Sequence, residues 1–211
     1  MSEHVSALCR SGFYHLRQLR PVTRSLTPAA VQAFISCRLD HCNSLLYGIS
    51  ENLMRRVQSV KNATTRLLAG ARRWDHISPE LHRLHWLPGR RRIDFKLVCL
   101  VHLSLAGQAP HYLAEDIHLV AAGPGRRLRS STDRSCSVPR TYSTSGDRSF
   151  ATAGTRAWNS LPSNVRDEKL RFWSFRRLLK THCLTADHSA VWTFIYCAIE
   201  IHLLTYLLTC L

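Results

Sequence analysis

Acidic residues are scarce in this chain. Asp and Glu number 14 against 29 Lys and Arg in 211 residues. Two-metal catalysis needs several carboxylates gathered within a few ångströms, and the acids here are scattered. The adjacent pairs Glu115-Asp116 and Asp167-Glu168 read as helix-end or loop charges. The chain has no Cys-x-x-Cys, the usual mark of a structural zinc site. It has no Gly-x-Ser-x-Gly and no Walker A loop, so nothing supports a hydrolase or an NTPase. No internal repeat occurs. "MSEHVSALCRSGFYHL" lacks the continuous apolar run of a secretory signal. The eight cysteines are irregularly spaced and mostly sit in apolar runs. They are expected to be buried, reduced thiols of an intracellular protein, nuclear or cytoplasmic, rather than a disulfide framework. His76, His82 and His85, with Asp75 adjacent, are the only loose cluster of metal-ligand types, and packing or phosphate contact suits them better than zinc. No catalytic residue, metal or cofactor is assigned.

What the chain does have is positive charge: a formal +15 and a pI near 10.2. Such a surplus attracts polyanions, with nucleic acid the first candidate and an anionic membrane surface the second. Most of it is arginine, whose planar fork suits phosphate. The hydrophobic content of 45% is enough to bury a core.

The patterning is helical almost throughout. Thr27-Pro28 reads as an N-cap with proline at the first helical position, opening a helix that runs to Tyr47, with Gly48 as its stop. In "ENLMRRVQSVKNATTRLLAGARR", Leu53, Val57, Val60, Thr64 and Leu67 share one face, Arg55, Ser59, Asn62 and Arg66 the other, and Gly70 ends the helix. Ser78-Pro79-Glu80 opens a short helix. The helix after Arg90, Arg91 and Arg92 runs to about Ala106 and is apolar nearly all round from Leu97. Residues 110–116 allow one or two helical turns. Residues 121–148, rich in Gly, Ser, Thr, Pro and Arg, read as a basic loop with a short strand near 137–142. Helices resume at 149–161 and 172–183. The fold class is therefore mostly α: an irregular helical assembly with a basic Gly/Ser/Pro-rich loop region and at most a short β-hairpin within 137–150. The segments are 1–50, 51–120, the loop 121–148, 149–184 and the tail 185–211.

Half the charge surplus lies in one stretch. Between Leu53 and Arg92, ten basic residues face two acids, Asp75 and Glu80. Trp74 and Trp86 lie among them, and aromatics between cations suit base stacking with phosphate neutralisation. The plain alternative is a solvated charged face over two core tryptophans, which fits Trp86 in "LHWLP" well. Arg90, Arg91 and Arg92 stand at a helix start, where the macrodipole disfavours cations by up to about 1 kcal/mol each. A phosphate among them would relieve that cost, since a helix start offers free N–H groups to an anion. The candidate nucleic-acid contacts are Arg55, Arg56, Lys61, Arg66, Arg72, Arg73, Trp74, Arg90, Arg91 and Arg92.

"AVWTFIYCAIEIHLLTYLLTCL", residues 190–211, is long enough to cross a bilayer. Its ten Leu, Ile, Phe and Val residues contribute roughly −3 to −6 kcal/mol to insertion, and Glu200 offsets about 2.5 to 3.5. The alternatives are a membrane anchor flanked by Arg176, Arg177 and Lys180, a buried helix, or an extension never selected as protein.

Several stretches carry a resemblance. "SCRLDHCNSLLYGI", "RRVQSVKNATTRLLAGARRWDHISPELHRLHWLP", "RRRIDFKLVCLVHLSLAGQAPHYLAE", "RRLRSS", "VPRTYSTSGDRSFATAGTRAWNSLP" and "FRRLLKTHCL" resemble, in that order, the region downstream of the palm in non-long-terminal-repeat retrotransposon reverse transcriptases of the jockey-like and chicken-repeat-like type. The resemblance covers about 5–184. It implies thumb-type helices over 17–48 and a helical region over 51–113 that serve RNA or DNA binding beside a polymerase palm. The palm's Asp-Asp pair is absent from this chain, so the resemblance implies no polymerase activity here. "TPAAVQAFISCRLDHCN" is about one helical turn shorter than the family pattern, Gly89 replaces a larger residue, and the apolar tail has no family counterpart. The expectation is a non-catalytic, truncated fragment that binds nucleic-acid backbones. The rivals are a membrane-tethered basic protein and a decayed copy with no molecular function.

Overall fold

The computed structural model describes residues 1–84, 86–122 and 134–185. Nine α-helices are formed by these residues, and no strand. The helices are α1 (Ser2–Leu19), α2 (Pro28–Asp40), α3 (Glu51–Ala69), α4 (Ser78–Arg83), α5 (Gly89–Leu105), α6 (His111–Ala114), α7 (Thr144–Asp147), α8 (Phe150–Asn159) and α9 (Phe172–Thr185). The mostly-α class is as expected. The strand near 137–142 and the hairpin within 137–150 are corrected: the only β pairing among the described residues is a single bridge between Leu119 and Cys136, and 144–147 is helical. The bridge is held from its other side by Asn159, whose side-chain amide bonds both the N–H and the carbonyl of Cys136 at 2.8 Å each.

The N-cap and most helix boundaries follow local chemistry. Thr27 Oγ1 accepts the Ala30 N–H at 3.2 Å and starts α2. Gly70 takes φ +64 and closes α3 with the left-handed turn that glycine adopts without strain. The expected single helix to Tyr47 is corrected, because α2 stops at Asp40. Cys42 adopts a left-handed conformation (φ 54), and a 3-10 turn over Asn43–Leu46 follows. Helix α1 has no counterpart in the sequence reading. Its buried stripe is Val5, Cys9, Gly12 and Leu16, narrow and built partly of small residues. Gly12 lies under α3 so closely that a Cβ there would sit 2.6 Å from Val60 Cγ1.

Two core clusters meet along α5. The first joins Val5, Cys9 and Leu16 of α1, Ile35 and Leu39 of α2, and Met54, Val57 and Val60 of α3 to Ile93 and Leu97. The second gathers Val98, Cys99 and Val101 of α5 with Trp158 of α8 and Phe175, Leu179 and Cys183 of α9. Helix α5 is thus sandwiched, which is why its distal half reads as apolar all round. Of the six described cysteines, all free thiols, Cys9, Cys99, Cys136 and Cys183 are buried. Cys37 and Cys42 are exposed, against expectation, because they flank the outer side of the α2 terminus.

Candidate nucleic-acid interface

Helix α3 carries the cationic edge, and its environment sorts the candidate cations. Its buried stripe is Met54, Val57, Val60, Lys61, Thr64 and Thr65, with Leu53 and Leu67 only half-buried. The stripe is rotated from the expected face because α1, α2, α5 and the segment leading into α5 cover α3 from more than one side. Arg55, Arg56 and Ser59 remain exposed, whereas Asn62 and Arg66 are half-buried.

Lys61 is corrected out of the interface, since only 2% of it is exposed. Its apolar stem lies in the core, and Nζ donates to the Leu87 carbonyl at 2.5 Å while lying 6.0 Å from the Trp86 ring centre. Burial alone pulls its amine down to about 7 from an ordinary 10.5. Next to it, the Gln58 amide oxygen accepts the Gly89 N–H at 2.8 Å, so α3 holds the 86–89 turn at two points. Trp86, 3% exposed, is a core residue.

The three arginines at the α5 start meet acids from elsewhere in the fold. Arg92 makes a two-pronged ion pair with Asp40 at the end of α2, its Nε lying 2.7 Å from Oδ1. Its side chain is 19% exposed, and burial lowers its pKa to about 10. Arg90 reaches Glu51 in the first turn of α3 at 2.5 Å, both side chains remaining well exposed. Arg91 is half-buried, and it and Arg90 oppose the upward shift that burial imposes on the Asp94 carboxyl. The expectation that all three await a phosphate is therefore corrected for Arg92. For Arg90 an external phosphate would have to displace Glu51.

The loop after α3 is different. Arg72, Arg73 and Trp74 are all exposed, Trp74 at 76%. Asp75 Oδ2 accepts the Arg72 N–H at 2.6 Å, which pins the turn, and the Arg72 guanidinium lies 5.9 Å from the centre of the Trp74 ring. Among the described residues no ion pair reaches Arg55, Arg56, Arg72 or Arg73. Arg55 and Arg56 stand near the start of α3 and Arg72 and Arg73 beyond its end, so about 20 Å of helix at 1.5 Å per residue separates the two pairs. Arg56 also lies close enough to α1 to act on the Cys9 thiol. The sequence reading did not name further exposed cations, Arg10 and Arg17 of α1, Arg20 just after it and Arg38 of α2, the last 4.8 Å from the centre of the Phe34 ring.

No cluster of three or more His, Cys, Asp or Glu suited to a metal occurs among the described residues. His85 lies outside them. Glu115 pairs with His111 and Glu168 with Arg134, while Asp167 accepts the Lys169 N–H. No described helix is long and apolar enough to cross a membrane, and the tail 190–211 lies outside the described residues. No family model, no curated protein and no solved structure matches the chain.

Proposed function

We propose that this protein binds RNA or DNA through the phosphate backbone without catalysing a reaction, as a piece of the region that follows the palm in a retrotransposon reverse transcriptase. The observation that carries the reading is the α3 edge: Arg55, Arg56, Arg72 and Arg73 are exposed without a carboxylate partner among the described residues, and Trp74 stands 76% exposed next to Arg73. Two pairs of unneutralised arginines fit phosphates at two places along a backbone, and an exposed indole offers a stacking face to an unpaired base. Arg90 joins them when a phosphate competes with Glu51, because an exposed pair is worth at most about 1 kcal/mol. The resemblance of 5–184 to that retrotransposon region supports the same partner class.

Salt dependence tests this. Each phosphate neutralised contributes about 0.9 to the slope of log K against log salt on duplex DNA. Replacing Arg55, Arg56, Arg72 and Arg73 with Gln should flatten that slope by roughly 3 to 4. An unchanged slope, or a flat one in the parent protein, overturns the reading.

A further inference from the structure

We propose that the outward face of α9 docks on an anionic lipid surface. Helix α9 buries Phe175, Leu179 and Cys183 against the second core cluster. A neighbouring stripe carries Trp173, Arg176, Arg177 and Lys180 at spacings of three and four, with Trp173 and Arg176 exposed and Arg177 and Lys180 half-buried. Trp173 is 63% exposed. Both arginines lie over aromatic rings, Arg177 5.8 Å from the Trp173 centroid and Arg176 5.6 Å from that of Phe172. Helix α9 contains no acid at all, and Arg171 precedes it.

Charge and chain order favour a lipid surface as the occupant. A cationic stripe with an exposed tryptophan matches the headgroup region, where indole rings concentrate and each cation gains from anionic lipid. Helix α9 is described as far as Thr185, and the sequence beyond it contains the apolar stretch 190–211. One apolar signal beside a polybasic patch is the pairing that makes membrane attachment stable. This inference does not depend on the α3 edge.

The test is co-sedimentation of the full chain with vesicles of phosphatidylcholine alone and of phosphatidylcholine with phosphatidylserine. Binding should require the anionic lipid. Replacing Arg176, Arg177 and Lys180 with Gln should weaken it roughly a hundredfold, and Trp173→Ala should weaken it several-fold without changing its salt dependence. Arg176→Gln alone, at an exposed position, serves as the second variant if the half-buried Arg177 or Lys180 proves needed for folding. Arg72→Gln with Arg73→Gln should leave vesicle binding nearly intact. Binding indifferent to phosphatidylserine, or unaltered in the charge variants, overturns the proposal. So does a triple variant that keeps its vesicle affinity but loses RNA binding, which would make nucleic acid the occupant of this face.

Discussion

Two arginine clusters of similar look in the sequence end in opposite electrostatic states. Arg90, Arg91 and Arg92 open α5, and two of them close ion pairs with Asp40 and Glu51, residues about 40 to 50 positions away in the chain. Arg72 and Arg73 sit in a short turn, and their one nearby acid, Asp75, is engaged by a backbone N–H. The denser cluster is thus the less available one. At the α5 start, the unfavourable macrodipole is offset by carboxylates that the tertiary fold delivers. Local charge density predicts a field, while pairing decides which cations an outside anion can use.

Removing the acid at each place sharpens the contrast. Asp40→Ala leaves a largely buried guanidinium without its partner, and the cost should approach the about 3 kcal/mol typical of broken buried pairs. Glu51→Gln breaks an exposed pair and should cost under about 1 kcal/mol. Urea denaturation measures both, and equal losses would erase the distinction between buried and exposed pairing.

Lys61 and the Arg55–Arg56 pair draw the same contrast within α3. The Lys61 amine titrates near 7 when folded and near 10.5 when unfolded. Between those values the unfolded chain holds more protons, so stability rises with pH. The gain from about pH 7 to 9 should be about 2 kcal/mol, and Lys61→Met should abolish it. Above about 9 the trend reverses, because Cys99 and Cys136 stay protonated to about 11 in the fold but ionise near 9 when unfolded. A stability profile in Lys61→Met parallel to that of the parent would show the amine to be solvated after all.

The smallest effect separates function from folding. Arg72→Gln with Arg73→Gln should change stability by less than about 0.5 kcal/mol yet lower the salt slope of DNA binding by about 2. Arg92→Gln should do the reverse, reducing stability and leaving the slope unchanged.

The helices were legible where local chemistry is strong. Thr27-Pro28, Ser78-Pro79-Glu80 and Gly70 mark ends that the fold keeps. Helix α1 was not delimited from the sequence, although its inward stripe of Val5, Cys9, Gly12 and Leu16 has helical spacing. The break at Cys42 was missed because a left-handed non-glycine residue leaves no mark in the sequence. At the candidate site, Arg72, Arg73 and Trp74 were named as contacts beyond the Gly70 stop, and the structure leaves all three exposed. Lys61 was misread, since a lysine buries its amine only where the fold offers a carbonyl, here that of Leu87.

The sequence by itself determined the helical class, most of the caps and the cationic surplus, because hydrogen bonding, periodicity and charge count act over a few residues. Only the tertiary structure decided which cations remain open to a partner. Asp40, Glu51 and the Leu87 carbonyl reach Arg92, Arg90 and Lys61 from 26 to 52 positions away, and no local pattern encodes a neutralisation made across that distance.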